Sequence, residues 1–286
     1  MKRKIIGLFV CLLIISSLVI PVTAITKRHD IQTTSYDADV PIWKKGYSWT
    51  YHFIESRTHG FNTYISGDLT LKVVDDSVDS YILEAKTIPD GIFDLGGFGI
   101  KTTIFTSFTF KLKMRKADLG IESFEEKLKG IFRLKIGTLT LPIPIQGEIR
   151  TYVEFDPTWA IIPFPLFDGK SGTLNGTEIW HINVYAQLFW GLVSVFGPQN
   201  ISIPLTPIPY TCSEEQIIVQ GDTYNVFNVS AEWMDGSRFE SYYAEDVGNV
   251  AKEVIYIPYG GGYVWHSLIL ELKDYSFNAK TEYSSI

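Results

Sequence analysis

Residues 221–257 read GDTYNVFNVSAEW (221–233), MDGS (234–237) and RFESYYAEDVGNVAKEVIYI (238–257). Apolar and polar residues alternate on both sides of Asp235-Gly236, a dipeptide suited to a tight two-residue hairpin turn. A second turn signal follows at Asp246-Val247-Gly248. The spacing predicts a three-strand antiparallel meander, and most of the chain repeats its pattern.

Upstream, Tyr47, Trp49, Tyr51 and Phe53 share one strand face, with Ser48, Thr50 and His52 opposite. Leu69, Leu71 and Val73 repeat the pattern, then Tyr81, Leu83 and Ala85, with Asp75-Asp76-Ser77 as the turn between them. Residues 104–115 predict a strand with Ile104, Thr106, Phe108, Phe110, Leu112 and Met114 inward and Ser107, Thr109, Lys111, Lys113 and Arg115 in water. Ile149, Val153 and Phe155 mark a further strand; Trp180, Ile182, Val184, Ala186, Leu188 and Trp190 another; Val264, His266, Leu268, Leu270 and Leu272 the last. One helix is expected. Ser123-Phe124-Glu125-Glu126 fits a capping box, and Phe124, Leu128 and Ile131 then share a helical face, which puts a short packed helix over 123–129. The fold class is mainly β: a large curved antiparallel sheet, half-open barrel or sandwich.

Two short patterns carry a resemblance. Gly46, Trp49 and Tyr51 form an opening G-x-x-W-x-Y. Tyr242-Tyr243-Ala244, Asp246-Val247-Gly248 and Val250-Ala251-Lys252-Glu253 form a closing hairpin. Together they resemble secreted prokaryotic β-proteins, a largely uncharacterised group, related to the periplasmic lipoprotein-carrier fold. The resemblance implies a half-open sheet around an apolar cavity, with a lipid or an acylated protein as partner.

The chain has 286 residues and begins Lys2-Arg3-Lys4, followed by an apolar run from Ile5 to Val22 and small residues up to Ala24. That is the layout of a secretory signal peptide over 1–24; the alternative is an uncleaved anchor over residues 5–23 that tethers the chain to a membrane. Residues 25–40 are a polar leader, and 41–278 are expected to form one antiparallel β domain, with a faint two-lobe echo between 41–156 and 173–276. The net charge of −7 becomes −10 once Lys2, Arg3 and Lys4 leave with the signal. This balance argues against nucleic acid and against an anionic membrane surface as partners. An exported, extracellular or cell-surface protein is expected.

Three sequons, at Asn175, Asn200 and Asn228, are glycosylation candidates if the host has the machinery. Cys212 is the one cysteine beyond the signal, so no internal disulfide is available, and a buried inert thiol is expected. No pair among the five histidines has zinc-site spacing, no G-x-S-x-G elbow occurs, and Gly169-Lys170-Ser171 lacks the first glycine of a phosphate loop, so it reads as a turn. Glu125-Glu126 and Glu214-Glu215 are neighbours, and on strands neighbours point to opposite faces. No catalytic residue, metal or cofactor is therefore assigned.

Three segments mix proline with large apolar residues: Leu141–Ile145, Ile161–Phe167 and Ile203–Tyr210. Proline removes ladder donors, so none is a central strand. Either they pack back over the sheet, or Phe164, Leu166, Ile203 and Ile208 rim an apolar cavity whose face includes Phe108, Phe110, Trp180 and Trp190. The leading functional expectation is a non-catalytic binding protein for a lipid or other apolar ligand. The alternatives are a solid-core structural or adhesion module of the cell envelope, and a hydrolase acting on envelope sugars. A buried apolar cavity of roughly 300 Å³ or more favours binding; a filled interior favours the module.

Overall fold

The computed structural model describes residues 37–57, 63–95, 100–136, 139–140, 145–160, 162–188, 191–232, 236–259 and 263–276. The signal segment, all but the end of the leader, Trp190 and most of the Leu141–Ile145 segment lie outside these.

Fourteen strands follow one another: β1 (Ser48–Arg57), β2 (Thr63–Asp75), β3 (Ser80–Thr87), β4 (Asp90–Leu95), β5 (Ile100–Arg115), β6 (Ile121–Ile136), β7 (Leu139–Thr140), β8 (Ile145–Trp159), β9 (Ser171–Leu188), β10 (Gly191–Val219), β11 (Asp222–Glu232), β12 (Arg238–Ala244), β13 (Asn249–Tyr259) and β14 (Tyr263–Ser276). Among the described residues, thirteen form one antiparallel sheet, and the two-residue β7 pairs with the end of β6. Neighbours in sequence are mostly neighbours in space. β3 and β4 occupy one place between β2 and β5, interrupted at Ile88-Pro89. The first and last strands also meet, with β1 held between β2 and β14.

The sheet is not closed, and the break is at β10. Residues 191–211 of β10 pair with β9, and residues 211–219 pair with β11. The two ladders share one residue, Thr211, which faces Ser171 on one side and Ser230 on the other. Before Thr211, β10 is thus an edge on its β11 side among the described residues. Pro198, Pro204, Pro207 and Pro209 all fall in that stretch and none falls after it. A residue without an N–H is tolerated where no second strand needs the donor, and it blunts the edge against foreign strands. Ile203–Tyr210 is therefore strand rather than loop, but edge strand, as its prolines demand.

The expected helix at 123–129 is also strand, part of β6. Phe124, Glu126 and Leu128 are buried while Ser123, Glu125, Lys127 and Lys129 face outward or lie half-covered. Phe124 and Leu128 are four apart, a spacing that suits helix and strand equally; the deciding residue is Glu126, whose carboxylate conceals the period of two. In β5 the expected face holds from Phe108 to Leu112, but Ile104 and Thr106 are exposed and Phe105 is buried. Irregularities at Thr102/Ile104 and Phe105/Ser107 flip the phase. The β11–β12 connection is longer than a two-residue turn, because Glu232 pairs with Arg238.

Buried side chains form two clusters. The larger draws Trp49, Phe53, Leu83, Phe108, Phe110, Ile149 and Leu268 from across the sheet. The smaller holds Ala38, Leu166, Leu174, Ile208, Tyr210, Cys212, Phe227, Val229, Ala231 and Tyr243, around the β9–β10–β11 junction.

Candidate functional site

The proline loop before β9 settles on that junction. Gly169 N–H donates to Cys212 O and Cys212 N–H donates to Lys170 O, extending β10's pairing past Thr211. Leu166 is bridged to Ala38 by two backbone hydrogen bonds and is 0% exposed; Ile208 is 2% exposed. Phe164 is half-buried, its ring edge-on to Tyr243 at 5.0 Å. The Lys170 ammonium donates to the carbonyls of Pro163 and Pro165, satisfying loop acceptors that no strand reaches. Of the four expected rim residues, three thus belong to the packed cover of the junction; the side chain of Ile203 lies outside the described residues. Of the expected cavity face, Phe108 and Phe110 are buried in the larger cluster. The side chain of Trp180, on β9, and all of Trp190 lie outside the description.

The two sequence patterns dock on each other across some two hundred residues. Trp49 Nε1 donates to Val247 O at 2.8 Å, and Tyr51 Oη donates to Val250 O at 3.0 Å. Trp43 joins them: its Nε1 donates to Gly248 O at 2.8 Å, and its ring lies 5.0 Å from Trp49 and 5.2 Å from Tyr81. The acceptors are carbonyls of the Asp246-Val247-Gly248 turn or just beyond it. Gly248, at φ +65°, supplies the left-handed conformation that closes the turn on Ala244. No pattern in the sequence singles out Trp43, and none shows that its indole binds the far turn.

Beside this docking lies a cavity of about 90 Å³. Its walls are mostly apolar, with Trp43, Leu71, Leu83, Leu112 and Leu270 among them, and its polar groups come from Tyr51, Ser241, Asn249 and Glu253. Ser241 and Glu253 stand opposite each other on β12 and β13. Ser241 Oγ and Glu253 Oε1 are buried with no hydrogen-bond partner among the described residues. Burial pushes the Glu253 carboxyl up to about 8, so near neutrality it is an uncharged acid. Burial, and after it the Glu253 charge, push the Tyr51 phenol well above its ordinary value. Glu253 is the last position of the closing pattern, and its place in the run Ala251, Glu253, Ile255, Ile257 marks it as a carboxyl on the apolar face. That phase, read alone, identifies it; Ser241, a small polar residue, leaves no comparable signal.

A larger hollow of about 560 Å³ lies on the outer face of β2, β3, β5 and β6. Charged side chains are among its lining: Lys111 pairs with Glu84 at 3.3 Å and Lys127 with Glu125 at 2.7 Å. Glu125 and Glu126 do point to opposite faces, as adjacency on a strand requires. Cys212 is buried with its thiol pushed up to about 11, chiefly by burial, which makes it a poor nucleophile. Gly169-Lys170-Ser171 is the turn into β9. Asn175, Asn200 and Asn228 lie within β9, β10 and β11; Asn228 is half-buried. No group of three or more His, Cys, Asp and Glu side chains that could hold a metal occurs among the described residues. Compared with known protein families, with characterised proteins and with solved structures, the chain matches none.

Proposed function

We propose that this chain is an exported, non-catalytic structural module of the cell envelope, a rigid β domain with a filled interior. The observation that carries the reading is the burial of Leu166 and Ile208. Of the two placements open to these residues, cover over the sheet or rim of an apolar cavity, their burial in one cluster supports the cover. Large side chains fill the sheet's interior, Trp49, Tyr243, Phe53, Phe108 and Phe110 all being fully buried. The interior cavity of about 90 Å³ is well below the roughly 300 Å³ at which pockets for ligands of lipid or drug size begin. Export rests on the basic start, the apolar run from Ile5 to Val22 and the small residues up to Ala24. The N-terminal segment is then either removed or kept as a membrane tether.

The test is lipid content. Mature protein purified gently from its host should yield no stoichiometric lipid on extraction and mass spectrometry, and a fluorescent fatty acid should not bind saturably. Co-purified lipid, or saturable binding, overturns the module in favour of an apolar-ligand carrier.

A further inference from the structure

Glu253 and Ser241 are an odd pair to find inside an apolar interior. Each is inward-facing, each has a buried oxygen with no hydrogen-bond partner among the described residues, and both open on the same cavity. Directly opposed residues on neighbouring strands lie about 5 Å apart at Cβ, so one small molecule can touch both. Unpartnered buried polar atoms are costly, and a native protein that keeps two at one cavity calls for an occupant.

We propose that the Glu253–Ser241 cavity is a binding site for a small uncharged molecule bearing a primary carboxamide. The un-ionised carboxyl presents one donor and one acceptor side by side. A carboxamide presents the complementary pair, and the two close a ring of two hydrogen bonds, leaving the second amide N–H for Ser241 Oγ. The walls of Leu71, Leu83, Leu112 and Leu270 suit an apolar remainder rather than a cluster of waters. Size limits the remainder: an engineered cavity of about 150 Å³ in another protein holds benzene, so about 90 Å³ accommodates roughly four non-hydrogen atoms, the size of acetamide.

A cation is disfavoured, because pairing it with Glu253 needs both charges desolvated. The groups facing Glu253 reinforce this. Tyr51 from β1 is the one other titratable side chain on the cavity wall, and its phenol stays protonated. Ser241 from β12 and Asn249 from the start of β13 are neutral, and β2, β3, β5, β6 and β14 contribute apolar side chains. Asn249 Oδ1 is engaged with Val250 N–H at 2.8 Å. This site stands whether or not the envelope reading does, since its ligand is far smaller than a fatty acid.

The experiment titrates acetamide, at millimolar concentrations, into the folded mature chain and follows the NMR signals of Ser241, Val250 and residue 253. Wild type should bind at about pH 6.5 and at least about tenfold more weakly at about pH 9.5, where the carboxyl has lost the donor. Glu253→Gln keeps a donor and an acceptor and should bind equally at both pH values. Glu253→Leu should fold, as its melting curve reports, and lose binding at both. The proposal is overturned if wild type does not bind, if Glu253→Leu binds as wild type does, if pH has no effect on wild type, or if methylammonium displaces acetamide at about pH 6.5.

Discussion

The two buried clusters share the strand period but differ in what covers it. In the larger one, burial follows the strand period: Trp49, Tyr51 and Phe53 on β1, Leu69, Leu71 and Val73 on β2, and Leu268, Leu270 and Leu272 on β14 are alternate residues facing one interior. In the smaller one, the period persists on β10, at Ile208, Tyr210 and Cys212, and on β11, at Phe227, Val229 and Ala231, but the cover follows where the chain happens to cross. Leu166 comes from a loop, Ala38 from the leader, Ile208 from an edge strand, and Val229 from a central one. The difference lies in the seam. Where strands pair on both sides, backbone hydrogen bonds fix the register and the pattern of two does the rest. At Thr211 β10 exchanges one partner for another, and the gap is covered by side chains and a few loop hydrogen bonds. Apolar residues in a proline-rich loop are then core without periodicity.

The comparison can be broken at either end, and the largest effect should come from the periodic cluster. Trp49→Ala removes a fully buried indole and its bond to Val247 O, and should cost about 3–5 kcal/mol in denaturant unfolding. A loss below about 1 kcal/mol would mean the two patterns only touch.

Next is the pH dependence of the same region. The folded state binds the Glu253 proton more tightly than the unfolded chain, since the carboxyl is raised from 4.5 to about 8. The stability it contributes is therefore full below about pH 4.5 and lost as the pH rises towards about 8. Between about pH 5 and pH 8 wild type should lose on the order of 3 kcal/mol relative to Glu253→Gln, read from paired denaturation curves. Parallel curves would show that the carboxyl is hydrated in the folded state.

The seam itself is sharpened by Leu166→Ala, expected to cost about 2–3 kcal/mol despite its place in a loop. A cost within about half a kcal/mol would assign the cover to the backbone bonds at Cys212 and make the cluster incidental. The smallest effect belongs to the outer face. Lys111→Met breaks the ion pair with Glu84, both partners being 50% exposed, and should change stability by less than about 0.5 kcal/mol.

The periodic cluster was open to reading because each of its residues advertises its face through its neighbours. β1, β2, β3 and β14 needed nothing beyond alternation. β6 hides its period because a buried acid, Glu126, stands where an apolar residue would complete the pattern, leaving a spacing of four shared with a helix. β5 keeps the expected face only from Phe108 to Leu112, as irregularities at its start move Phe105 inward and Ile104 outward. The prolines of Ile203–Tyr210 spoke correctly against a central strand, yet gave no sign that an edge would be present to receive them. The seam was out of reach for a deeper reason: it depends on which distant strands meet β10, and no local window contains that choice. The candidate site divides likewise. Glu253 is an acid in an apolar register and could be found; the cavity beside it is a property of five or more strands at once.

The pairing of β1 with β14 places a constraint on the order of events during synthesis. Ser48 meets Ser276, and Trp49 finds its acceptor only at Val247. The first strand to leave the ribosome therefore waits for the last, with one lateral edge bare and its tryptophan unsatisfied, while all the intervening strands are made. Contacts of such span form slowly, because a long loop must close before they return anything. A chain stopped short of β14 would present that bare edge to its neighbours. Loss of Tyr263–Ser276 is thus a lesion of the N-terminal strand, and should surface as aggregation rather than as a slightly smaller domain.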